Sequence, residues 1–241
     1  MARFAKRVAT AGAEPKRFEV TTQLGANVTQ GDGTSRVVQI MNLPSNLVQG
    51  TTEGTFTGNT VWLKGVSVRF NLSIPSTPGF TALAIRWFLI KSRANAINML
   101  GSGATYGNTT TDQTNPTQGP NAQFTNPRIF DVAGSVASFV GESYATQFDR
   151  TNTRVIKTKT YRINAGGAGQ APSLHKFFFR IGRTHQYSNP DALPLTVAPN
   201  HGKYGSYYLC YQIFGQTGTA NISSTVVGTM DYKVELYFRD P

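Results

Sequence analysis

Apolar residues recur along this chain with a period of two and almost nowhere with the period of a helix. Between Val61 and Ile74, Val66, Val68, Phe70 and Leu72 fall on one face, and Ser67, Arg69, Asn71 and Ser73 on the other. Successive side chains of a strand point to opposite faces, so this stretch is predicted to be a half-buried strand. Pro75, Pro78 and Gly79 end it. From Ala82 to Lys91, Leu83, Ile85, Trp87 and Leu89 share a face, with Arg86 opposite. Runs rich in Val, Ile, Thr, Tyr and Phe predict further strands at Phe18 to Val28, Arg36 to Leu43, Phe139 to Phe148, Arg154 to Ile163, His175 to Arg183, Tyr204 to Phe214 and Val226 to Phe238.

Only residues 127–140 carry a helix signal. Asn126 is a cap, Pro127 occupies the first position, and Ile129, Phe130, Val132 and Val136 follow. Residues 92–127 are rich in Gly, Asn, Thr and Pro and read as one long connection. About eight substantial strands, long irregular links and at most one helix predict an all-β sandwich. Long links fit a jelly roll, whose crossovers pass over the ends of two packed sheets, better than a tight meander. No fixed-period repeat is present, which disfavours propellers and solenoids. The expected organisation is a basic flexible arm over residues 1–17 and an eight-stranded single jelly-roll domain over 18–241.

Composition adds a charge problem. The chain has 241 residues, with 23 Lys and Arg against 12 Asp and Glu, a net charge of +11. Yet 15% of residues are charged, against roughly 25% in an ordinary domain. The protein is basic because acids are scarce. The single cysteine, Cys210, excludes a disulfide scaffold. The most apolar stretch, Leu83 to Ile90, is interrupted by Arg86 and is far short of the roughly 20 residues of a membrane helix. The basic start is not followed by an apolar segment, so no secretory signal is expected. Asn27, Asn71, Asn108 and Asn221 open glycosylation-type triplets, which a chain this rich in Asn, Ser and Thr contains by chance. The acid-free first residues also have the look of a transit peptide, but a cationic arm is the preferred reading.

The motifs of common catalysis are missing. There is no G-x-S-x-G elbow and no phosphate-cradling G-x-x-x-x-G-K-[ST] loop. His175, His185 and His201 are scattered, whereas a metal needs three or four convergent ligands. No cofactor, no metal and no enzymatic activity are therefore expected. A hydrolase or cupin-type enzyme is the weakest of the readings.

The positive charge has two concentrations. Arg3, Lys6, Arg7, Lys16 and Arg17 lie within residues 1–17 with one acid, Glu14. Residues 150–183 hold Arg150, Arg154, Lys157, Lys159, Arg162, Lys176, Arg180 and Arg183 with no acid. Alternation sets Lys157 and Lys159 with Tyr161, and Lys176 and Arg180 with Phe178, opposite Phe177 and Phe179. Such cations either solvate an outward face or bind phosphates, releasing counterions whatever the base sequence. No helix-turn-helix, zinc-finger or RNP motif suggests base-specific readout. Phe4, Phe18 and Tyr161, near basic residues, are candidates to stack on unpaired bases.

Four stretches carry a family resemblance: Val61-Trp-Leu-Lys-Gly-Val-Ser-Val-Arg-Phe70, Phe148-Asp-Arg-Thr-Asn-Thr-Arg-Val-Ile-Lys-Thr-Lys-Thr-Tyr161, His175-Lys-Phe-Phe-Phe-Arg180 and Tyr232-Lys-Val-Glu-Leu-Tyr-Phe-Arg-Asp-Pro241. In order and texture, over residues 36–241, the chain resembles the capsid proteins of small circular Rep-encoding single-stranded DNA viruses, the circovirus, geminivirus and genomovirus neighbourhood. The arm departs from the family in being less Arg-rich. The resemblance implies self-assembly into a small icosahedral T=1 shell of roughly 60 copies. It implies a single-stranded DNA genome as partner, RNA being the variant of more distant coats. It also implies residence in the virion, with assembly in the host nucleus, and no membrane partner; no host receptor is implied. The implied nucleic-acid-binding residues are Arg3, Lys6, Arg7, Lys16 and Arg17 in the arm, with Lys157, Lys159, Lys176 and Arg180 in the domain. The alternatives are a non-viral jelly-roll or lectin-like binding module, and the coat of a small RNA or satellite virus.

Overall fold

A computed structural model describes residues 15–29, 39–44, 47, 50–51, 54–74, 82–92, 153–164, 174–187, 204–215 and 226–240. They form eight strands: β1 (Pro15–Thr29), β2 (Gln39–Asn42), β3 (Thr60–Ser73), β4 (Ala82–Ser92), β5 (Thr153–Asn164), β6 (Leu174–Gln186), β7 (Tyr207–Gly215) and β8 (Val226–Arg239). The expected helix at 127–140, the strand at 139–148 and the link at 92–127 lie outside the described residues.

The strands pair in a nested series. β1 pairs with β8, β2 with β7, β3 with β6 and β4 with β5, each antiparallel. Such nesting is what results when one long antiparallel ribbon is rolled up. Lateral pairing of β3 with β8 and of β4 with β7 completes two four-stranded sheets, β1-β8-β3-β6 and β2-β7-β4-β5. This order is the eight-stranded jelly roll, and the fold class read from the alternation stands.

Each strand's alternation shows why it is there. Val66, Val68, Phe70 and Leu72 of β3 are buried, while Arg69 between them and Ser73 after them are exposed; Ser67, on the polar face, is buried as well. The parity reverses at Lys64, where the register against both β6 and β8 shifts. One extra residue in a strand makes such a bulge, and it lets Val61 and Leu63 stay buried ahead of it. β4 departs from simple alternation. Ile85, Trp87 and Leu89 enter the main core, but Phe88 and Ile90 on the opposite face are equally buried, as are Tyr208 and Cys210 of β7. A strand covered on both faces reads as a continuous apolar run, which is why Leu83 to Ile90 is the most apolar stretch of the chain.

Two aromatic groups fill the space between the sheets. In one, Phe70, Trp87, Tyr161 and Phe177 meet with ring centroids 5.2–6.4 Å apart. The other closes the sandwich near β2: Tyr187 stacks on Phe56 at 4.7 Å and donates its hydroxyl to the Pro44 carbonyl at 2.9 Å. Edge-to-face and offset contacts at these separations add to the burial of the rings themselves.

Candidate nucleic-acid interface

The arm boundary needs correction. β1 begins at Pro15, so Lys16 and Arg17 belong to a strand rather than to a free arm. Lys16 lies opposite Phe238 and Arg17 opposite Tyr237. The Lys16 ammonium donates to Asp240 Oδ2 at 2.7 Å and to the Thr55 carbonyl at 2.9 Å. Composition suggested a tail here because the partner residues lie at the far end of the chain. Arg3, Lys6 and Arg7 lie outside the described residues.

The four domain lysines and arginines do not share one face. β5 and β6 are edge strands of different sheets. Lys157 and Lys159 stand opposite Leu89 and Trp87 of β4, on the side of β5 that faces the other sheet. At the rim, the Lys159 ammonium lies 5.0 Å from the Tyr161 ring and 5.8 Å from that of Phe177, a cation–π arrangement. Burial and the Lys159 charge together hold His175 below the ordinary histidine pKa. Tyr161, a stacking candidate by sequence, is packed against the core instead. Lys176 and Arg180 point to the outside of the β1-β8-β3-β6 sheet, both exposed. The same-strand groupings read from alternation therefore hold, and the two pairs occupy different surfaces.

That outer sheet face gathers residues from four strands. Lys176 of β6 lies opposite Arg69 of β3, which lies opposite Lys233 of β8. In the next rows Ser67 lies between Phe178 and Glu235, and Gly65 between Arg180 and Tyr237. Directly opposed residues have Cβ atoms about 5 Å apart, so Arg69, Lys176 and Arg180 form one basic patch with Phe178 at its centre.

Charge divides this face in two. On the β1–β8 half the carboxylates are occupied. Lys233 reaches Glu19 at 2.7 Å and Glu235 at 3.4 Å, and Arg17 lies 3.9 Å from Glu235. The Lys233 and Thr22 hydrogen bonds hold Glu19 below the usual carboxylate pKa. On the β3–β6 half, Arg69, Lys176 and Arg180 have no carboxylate partner among the described residues. Unopposed cations on one surface make a potential that draws polyanions.

Phe178 sits within this patch. It is 46% exposed, a large value for a phenylalanine. Its ring lies on Gly65: a Cβ placed there would stand 2.5 Å from Phe178 Cζ and 2.7 Å from Cε1. Tyr237 stands beside it edge-on, with ring centroids 5.9 Å apart. Tyr237 donates its hydroxyl to Glu235 at 3.2 Å, and burial and that carboxylate raise its pKa.

Arg69, Phe178 and Tyr237 are not among the residues to which the sequence resemblance assigns nucleic-acid binding. Arg69 is on the polar side of β3 and Phe178 between Lys176 and Arg180, so the signal was present within each strand. What joins them is the β3–β6 pairing, which alternation does not reveal.

Other chemistry is sparse. Among the described residues no three His, Cys, Asp or Glu side chains converge as a metal site would. Among the described residues no helix is long and apolar enough to cross a membrane.

No protein-family model matches the chain, and no curated protein does. Among solved structures, the unassembled VP1 pentamer of KI polyomavirus is similar at 12% identity and a TM-score of 0.30, over 95% of this chain and 94% of that one. VP1 of trichodysplasia spinulosa-associated polyomavirus, solved with sialylated glycooligomers, is similar at 13% identity and a TM-score of 0.24, covering 95% and 94%. The particle of Israeli acute paralysis virus is similar at 9% identity and a TM-score of 0.22, covering 94% of this chain and 67% of that one. Likeness at this level carries no functional argument, and the fold rests on the strand order.

Proposed function

We propose that the chain is a viral capsid protein that self-assembles into a small icosahedral shell and packages single-stranded DNA. Its role is physical rather than catalytic: two sheets form a rigid wedge, and cations on one sheet face meet the genome. The observation that carries this reading is the division of charge on the β1-β8-β3-β6 face. Glu19 and Glu235 are held by Lys233 and Arg17, while Arg69, Lys176 and Arg180 are left unopposed beside them.

Two further features support it. The jelly roll is a fold able to tile a closed surface, with its edges and loops available for contacts between copies. The chain is also poor in charge, and copies that pack together are better served by neutral polar surfaces, since interface cores are depleted in charged residues. The preference for DNA over RNA, the T=1 shell of roughly 60 copies and assembly in the host nucleus come from the family resemblance. In this reading Arg3, Lys6 and Arg7 add to the charge on the genome side, and Lys157 and Lys159 serve the rim between β5 and β6.

The test is the nucleic acid that the purified protein carries. Material extracted after nuclease treatment of the intact assembly should be degraded by DNase and by a single-strand-specific nuclease, and should resist RNase. Protein that carries no nucleic acid at low salt would overturn the reading. Recovery of RNA alone would overturn the DNA assignment.

A further inference from the structure

We infer that Phe178, seated on Gly65 and flanked by Tyr237, is a stacking platform for unpaired bases, so that this sheet face takes single strands in preference to duplex. The inference rests on the reading above, that the β1-β8-β3-β6 face meets nucleic acid, and adds what that face recognises.

The local structure is built around an exposed ring. Glycine within a strand weakens it and marks a close approach by another group. At Gly65 that group is Phe178, whose ring takes the space a side chain would fill. Covering a strand glycine accounts for one face of the ring. It does not account for the rest, which is left to solvent at 46% exposure. Tyr237, at an interplanar angle of 69°, stands as a wall beside it.

The surroundings identify the occupant. An exposed aromatic ringed by neutral side chains would suit an apolar protein partner. Phe178 instead has Lys176 and Arg180 two residues away on either side and Arg69 opposite Lys176, none with a carboxylate partner among the described residues. A π surface framed by cations is the arrangement that holds a single strand: the cations track the backbone and the ring stacks on a base of any sequence. In duplex DNA the base faces are already stacked on one another, so a flat, exposed ring gains nothing from them without unstacking them first.

The experiment uses the full-length protein and three fluorescent probes of equal length: a mixed-sequence DNA strand, the same strand with abasic sites in place of its bases, and the duplex. Abasic sites keep the phosphates and remove the stacking partner. The wild type should bind the normal strand more tightly than the abasic strand or the duplex. Phe178→Ala should weaken the normal strand about five- to a hundredfold and leave the abasic strand unchanged, and Phe178→Tyr should restore most of the loss. Ultraviolet crosslinking of a bromouracil-bearing strand to the wild type, mapped by mass spectrometry, should mark Phe178 or Tyr237 and needs no variant to fold. Equal binding of normal and abasic strands by the wild type would overturn the stacking platform while leaving the nucleic-acid face intact. Failure of the wild type to bind any probe would overturn that face itself. A Phe178→Ala protein that binds all three probes normally but no longer assembles would assign the ring to contact between copies and overturn the inference.

Discussion

Lys16, near the start of β1, places its ammonium 2.7 Å from Asp240 Oδ2, just past the end of β8. The two residues are 224 positions apart in the chain, and their contact fastens the outermost pair of the nested strands. Both side chains are largely shielded, at 12% and 19% exposure. Hydrogen bonds between charged groups in such places contribute about 1.5–3 kcal/mol. Lys16→Met keeps the aliphatic stem and removes the charge. It should lower unfolding stability by about 1–3 kcal/mol in urea titrations and leave nucleic-acid binding unchanged. A loss of binding without a loss of stability would return Lys16 to the genome-facing set.

Gly65 is required by its neighbours. A Cβ there would collide with the Phe179 carbonyl oxygen as well as with the Phe178 ring. A side chain can swing aside, but a backbone carbonyl in a paired strand cannot. Gly65→Ala should therefore cost about 1–3 kcal/mol, the usual range for overpacking. Adding Phe178→Ala should recover only part of it. Full recovery in the double variant would show that the carbonyl contact relaxes easily.

Acid should destabilise the fold through His185. This imidazole is buried beside Tyr187 and near Tyr207, with ring centroids 4.7 and 6.3 Å away. Burial first, and the Lys91 charge second, push its pKa down to about 3. In the unfolded chain it titrates near 6.5. Between these values the unfolded state binds the extra proton, so stability falls as pH falls from about 6.5 towards 3, by up to about 1.4 kcal/mol per pH unit. His175, also lowered, acts in the same direction. Glu19 enters only below the ordinary carboxylate range, since its pKa is lowered too. Urea midpoints measured from pH 7 to 4.5 should fall steadily, and His185→Gln should flatten the slope. An unchanged slope in that variant would remove His185 as its source.

The basic patch should show itself in salt dependence. Each phosphate neutralised on a single strand contributes about 0.7 to the slope of log affinity against log salt. Arg69→Gln, Lys176→Gln and Arg180→Gln should each reduce that slope by about 0.7, with a fluorescent DNA strand as probe. Slopes equal to the wild type would show that these side chains do not touch phosphates.

Within a strand, much of this was legible. Val66 to Leu72 announced β3 by alternation alone, and the parity of Lys176, Phe178 and Arg180 was readable for the same reason. The pattern shows which side chains of one strand point together, but not which sheet edge the strand occupies. Lys157 and Lys159 could thus be grouped with each other yet not separated from Lys176 and Arg180, which the topology sends to another surface. Composition alone places Lys16 and Arg17 in a tail, because the residues that pair them into β1 are Phe238 and Tyr237 of β8. The apolar run through β4 is visible in the sequence, but that Phe88 and Ile90 are as buried as the core-facing Ile85, Trp87 and Leu89 is not. Gly65 and Phe178, more than a hundred residues apart, meet only because β3 pairs with β6.

The most direct test of the central claim is electron microscopy of the purified full-length protein at several salt concentrations. Uniform closed shells, small enough for roughly 60 copies, are the expected result. A protein that stays monomeric at high concentration across all those conditions would contradict the capsid reading.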